Sequence, residues 1–78
     1  MNIQNILNRA IKTLNQFNIK NAHLDSEVLL AKVLNKDRNY IMLNLQEHLD
    51  KKYLFRFNNL IKRRKKGEPV AYLIKKKE

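Results

Sequence analysis

Three features of this 78-residue sequence predict an all-α fold, a small bundle of four helices plus a short fifth helix. There is a single glycine, Gly67, and a single proline, Pro69, too few turn residues for a protein built of strands. Apolar residues recur at three- and four-residue steps through most of the chain. Asn2, Asn21, Asp37 and Asp50, all good N-cap types, stand before four of these periodic segments.

The first segment carries Ile3, Ile6, Leu7, Ala10, Ile11, Leu14 and Phe17. At 100° per residue these fall within an arc of roughly 140°, one face of an amphipathic helix. The helix should end near Asn18, with "NIKN" as the turn. In the second segment, "NAHLDSEVLLAKVLN", apolar residues cover most of the circumference, as expected of a central helix buried on several sides. Asp25 and Glu27 lie near its positive end. Asp37 caps a short third helix over 38–44, with Tyr40, Ile41 and Leu45 turned inward. Asp50 caps a fourth, whose inner face over 53–64 is Tyr53, Leu54, Phe57, Leu60 and Ile61. Phe55 points the opposite way, toward solvent or a contact outside the bundle.

Composition bounds the function. A chain this short buries only about 60% of its unfolded surface, so one small domain is expected. It has no cysteine, so disulfides and thiolate metal sites are excluded. His23 and His48 are isolated, so no metal site is expected. No apolar run approaches the roughly 18 residues of a membrane span, and the N-terminus lacks a signal-peptide pattern. A cytoplasmic protein with no membrane contact is the expectation. The net charge of +10 is uneven: residues 1–50 hold six Lys/Arg against five acids, residues 51–78 eleven against Glu68 and Glu78. Any electrostatic function belongs to the last third, although the same lysines also suit plain solvated surface.

The basic run "KRRKK", residues 62–66, goes more than once around a helix and so cannot form one cationic stripe. Lys62, Arg63, Lys65 and Lys66 project to the solvent side and flanks. Arg64 lands in the middle of the apolar face. A buried guanidinium needs a partner, and Asp25, Glu27 and Glu68 are the candidates. Arg64 is therefore read as structural. Gly67 follows where a left-handed residue ends a helix. Pro69 suits the first position of a new one, laying Val70, Tyr72 or Leu73 of "PVAYLI" on the bundle.

The run "RRKKGEPVAYLIKKKE" resembles the end of the N-terminal domain in the HemK/PrmC family, the peptide chain release factor glutamine methyltransferases. Arg63, Arg64, Gly67, Glu68, Pro69, Val70, Ala71, Tyr72 and Leu73 fit that family's pattern. Upstream, Leu24, Asp25, Glu27, Leu29, Leu30, Ala31, Leu34, Lys36 and Asp37 match a second block in order. Lys75 stands where the family usually has glycine. The resemblance implies that 1–74 form a helical substrate-recognition domain and that 75–78 open a linker to an absent methyltransferase domain. It further implies a parent enzyme that transfers a methyl group from S-adenosylmethionine to the glutamine of a release factor's Gly-Gly-Gln loop. The implied partners are that release factor and the parent's own C-terminal methyltransferase domain.

With one glycine and one proline, the segment cannot supply the family's glycine-rich cofactor loop or Asn-Pro-Pro-Tyr motif, so it is expected to be non-catalytic and to bind no cofactor. Candidate partner contacts are Phe55, Lys62, Arg63, Lys65 and Lys66. The residues expected to shape the structural motif are Asp25, Glu27, Arg64, Gly67, Glu68, Pro69 and Tyr72. The alternative is a stand-alone basic helical module that binds nucleic acid. Weak nonspecific attraction to nucleic acid follows from the charge in either case.

Overall fold

The computed structural model describes residues 1–75. Its order is α1 (Ile3–Gln16), α2 (Ala22–Leu34), α3 (Arg38–Leu43), α4 (Lys51–Lys65) and α5 (Val70–Lys75). The all-α bundle with a short fifth helix is the fold the periodicity predicts. α2 packs against each of the other four helices, and α1 and α4 close on one another beside it. Each helix contributes at least one almost fully buried side chain: Ile3 and Leu14, Leu29 and Leu30, Ile41, Phe57, and Leu73. Among the described residues, no helix is long and apolar enough to cross a membrane.

The caps form by two routes. Asn2 and Asp37 act through their side chains: Asn5 N–H donates to Asn2 Oδ1, and Tyr40 N–H to Asp37 Oδ1, each at 2.9 Å. Asn21 and Asp50 occupy cap positions but make no side-chain cap bond. The remaining amides of α1's first turn are satisfied from far along the chain. Ile3 N–H donates to the Glu47 carbonyl and Gln4 N–H to that of Leu45, both at 2.9 Å, and the helix's own ladder begins with Ile6 N–H to the Asn2 carbonyl at 3.1 Å. Residues 44–49 thus lie along the start of α1, with a single bridge between Asn2 and His48. Tyr40 ties this segment to α3 by donating its hydroxyl to the Glu47 carboxylate at 2.9 Å. That acceptor raises the Tyr40 phenol above its ordinary range of 10.0.

Several boundaries move. α1 stops at Gln16, two residues before the expected end, because Asn18 turns left-handed (φ 61°) and Ile19 N–H folds back to the Leu14 carbonyl. α3 ends one residue early, at Leu43. α4 keeps its expected start and runs from Lys51, directly after Asp50. Pro69 precedes α5 as its cap instead of being its first residue, and its carbonyl accepts from Leu73 N–H at 3.1 Å. Proline serves either position, since neither asks it for an N–H. Leu73 is the α5 residue that enters the core, whereas Tyr72 remains exposed. The expected linker covers 75–78: Lys75 is the last residue of α5, and 76–78 lie outside the described residues.

The break between α4 and α5 is a Schellman turn. Gly67 N–H donates to the Arg64 carbonyl at 2.9 Å, and Glu68 N–H to that of Arg63 at 3.3 Å. Gly67 has φ 106°, where a side chain is strained, yet an added Cβ would meet nothing within 4 Å. The penalty for Gly67→Ala is therefore conformational, about 1–2 kcal/mol. Urea unfolding should show it as a lower midpoint with an unchanged slope; an unchanged midpoint would mean that the turn relaxes without strain.

Candidate docking surface and the arginine corner

The run of consecutive cations at the end of α4 separates by rotation, as its helical register requires. Arg64 turns inward. Its Nε donates to Asp25 Oδ2 at 3.0 Å, and its Nη1 donates to the Glu68 carbonyl at 3.0 Å. Of the three candidate partners, Asp25 is the ionic one, and Glu68 offers Arg64 only its backbone. Asp25 is buried on α2, so this pair fastens the end of α4 to the central helix.

Arg63 does not simply face solvent as its rotation suggested. The Schellman turn brings Glu68 back alongside it, and the two form a fork: Nε to Oε2 at 2.8 Å and Nη2 to Oε1 at 2.6 Å. The Arg63 guanidinium also lies 5.9 Å from the center of the Tyr72 ring. Its bond with Glu68 raises its already high pKa further. Glu68 is thus held twice, by its side chain and by its backbone, through two adjacent arginines. Two further members of the run have different surroundings. Lys65 is half-buried with its ammonium 5.0 Å from the Phe17 ring center, and Lys62 is exposed.

Glu27, the other buried acid of α2, serves a different helix. Arg38 donates to its Oε1 through Nε at 3.2 Å and Nη2 at 2.9 Å, while His23 Nε2 lies 2.8 Å from Oε2. This cluster pins the start of α3 to α2. It also borders an apolar groove of about 140 Å³ lined by Leu7, Ile11, Met42 and Leu45. Sequence reasoning missed Arg38, although one signal was present. A carboxylate inside an apolar helix needs a cation, and Arg38 opens the next helix after a short turn.

Phe55 is 68% exposed, on the side of α4 opposite Phe57. Lys62 and Lys66 are exposed on the same side, so three of the five candidate contacts share one face. Arg63 and Lys65 occupy its two flanks. Lys51, the first residue of α4 and also exposed, falls on this face as well.

A family model described as the PrmC N-terminal domain matches residues 5–74. The chain belongs to this family. It is similar to a release factor glutamine methyltransferase of Buchnera aphidicola subsp. Schizaphis graminum, with 42% identity over 78 residues, 100% of this chain and 28% of the relative. Similarity extends to one from Aliivibrio fischeri, at 34% over 74 residues, 95% of this chain and 26% of that protein. A bifunctional methyltransferase of Rickettsia felis is 38% identical over 76 residues, 97% of this chain and 14% of its own length. The chain spans less than a third of the curated relatives it matches. No solved structure gives a significant match.

Within this PrmC N-terminal domain, several residues that carried the resemblance meet at one place. Asp25 comes from the upstream block, and Arg63, Arg64, Gly67, Glu68 and Tyr72 come from the downstream block. The structure joins the two blocks through Arg64 and Asp25 across 39 residues. In the PrmC N-terminal domain, then, this corner fixes how the chain turns from α4 to lay α5 on the bundle. The exposed face of α4 lies outside this corner.

Proposed function

We propose that this domain is the substrate-recognition part of an S-adenosylmethionine-dependent release factor glutamine methyltransferase. It helps hold the release factor so that the glutamine of the Gly-Gly-Gln loop reaches a catalytic site in a separate domain of the parent protein. The supporting observation is membership of the PrmC N-terminal domain family, together with similarity over the whole of this chain to part of a relative that bears this enzyme's name. In this reading the methyl donor and the chemistry belong to the parent's methyltransferase domain, in the cytoplasm, and the present segment is non-catalytic.

The physical role of such a domain is positioning. Contacts far from the reacting amide supply binding energy and restrict which protein is presented to the site. Phe55, Lys62, Arg63, Lys65 and Lys66 are the proposed contact residues. In the full-length enzyme, changing the four cations together to glutamate should lower kcat/KM on intact release factor by about tenfold or more. Turnover of a short peptide carrying only the Gly-Gly-Gln loop should not change. An unaltered rate on intact release factor would remove this contact from the proposal.

A further inference from the structure

The exposed face of α4 has a definite pattern, and the pattern selects the chemistry of what it meets. On helical rotation Lys51, Phe55, Lys62 and Lys66 fall within about 60° of one another, along roughly 22 Å of helix. All four are exposed. No acidic residue occurs between Lys51 and Lys66. Among the described residues, Lys51, Lys62 and Lys66 form no ion pair and lie over no aromatic ring. Of the neighboring cations, Lys52 lies 5.1 Å from the center of the Tyr53 ring, Lys65 sits over Phe17 and Arg63 grips Glu68, while Arg56 is exposed about 100° around the helix from Phe55, off the stripe.

The charge along this stripe is not uniform. Lys51 stands at one end, and Lys62 and Lys66 stand at the other. The middle is Phe55 with the exposed amides of Asn58 and Asn59. A nucleic acid strand carries phosphates at regular short spacing and would leave several of them against this uncharged middle. It also uses a series of stacking rings, and here a single ring is offered. An apolar anchor at the center with charge at the rim is the anatomy of a protein–protein contact.

We infer that the partner of this stripe is a protein surface with an apolar pocket for Phe55, flanked by carboxylates on both sides. On the partner these should lie about 6 Å from the pocket toward Lys51 and about 10–17 Å from it toward Lys62 and Lys66. The inference rests on the release-factor reading above and specifies which chemistry on that factor is recognized. It narrows the proposed contact: Phe55, Lys62 and Lys66 belong to it with Lys51, whereas Arg63 and Lys65 flank it and serve the fold.

The test uses the 78-residue chain and two variants at exposed positions, Phe55→Ser and the triple change of Lys51, Lys62 and Lys66 to Glu, each checked for helix content. Two probes are titrated at several salt concentrations: purified bacterial peptide chain release factor and a fluorescein-labeled twelve-residue oligouridylate. Phe55→Ser should weaken release-factor binding about tenfold or more while leaving its salt dependence unchanged. The triple variant should weaken binding and flatten that dependence. Oligouridylate should bind weakly and equally to the wild-type chain and to Phe55→Ser. Binding of release factor that ignores both variants overturns the stripe as the contact and leaves the release-factor reading standing. Oligouridylate binding that Phe55→Ser abolishes overturns the inference in favor of a nucleic-acid face. No binding of release factor to the wild-type chain counts against the release-factor reading itself.

Discussion

Replacing Arg64 with alanine should lower the stability of the domain by about 2–3 kcal/mol. The reason is the group left behind. Asp25 is only 7% exposed, and without Arg64 it becomes a buried carboxylate lacking its cation. Breaking a fully buried pair costs about 3–5 kcal/mol, and the remaining exposure of Arg64 reduces that figure. The expected total stability of a 78-residue domain is about 4–12 kcal/mol, so the loss is a large share of it. Arg64→Lys should recover part of the loss, because one ammonium cannot reproduce both the ionic bond to Asp25 and the bond to the Glu68 carbonyl. Changing Arg64 to Met and Asp25 to Leu together should cost less than Arg64→Ala alone, since no buried charge is then unpaired. Chemical denaturation of the four proteins measures this. Equal losses in the alanine variant and the double variant would show that the unpaired Asp25 carboxylate carries no penalty.

The next largest effect is expected at Glu27, and it should be local as well as global. Glu27→Ala removes both bonds from Arg38 and the contact with His23, for about 2 kcal/mol. The loss is smaller than at Arg64 because Arg38, with half of its side chain exposed, returns to water once released. α3 is only six residues long and depends on its packing against α2, so it should loosen first. Hydrogen exchange of the amides from 38 to 43 should quicken more than that of α1 or α4. Uniform quickening across all helices would mean that α3 has no separate anchor. The apolar groove beside Glu27 should open at the same time, because Met42 of α3 lines it.

The two buried acids of α2 show where sequence reasoning reaches and where it stops. The inward turn of Arg64 was legible, because 100° per residue places it on the face of Phe57, Leu60 and Ile61 whatever the rest of the chain does. Asp25 and Glu27 were equal candidates for it, and their assignment was not legible. They lie two positions apart on α2 and therefore on nearly opposite sides, and which side meets α4 is a matter of helix placement. Arg63 shows the same limit. Rotation put it on a flank, but the fork with Glu68 exists because Gly67 folds the chain back beside it.

The sequence by itself determined the number and order of the helices, the cap positions at Asn2, Asn21, Asp37 and Asp50, the stop at Gly67 and the outward position of Phe55. It also determined the family, through the two matching blocks. These depend on the chemistry of residues a few positions apart, which the chain carries wherever it folds. Only the tertiary structure decided which acid meets which arginine and that the carbonyls of Leu45 and Glu47 satisfy the first amides of α1. Both depend on where rigid helices come to rest against one another, a balance of burial across the whole core that no local spacing records.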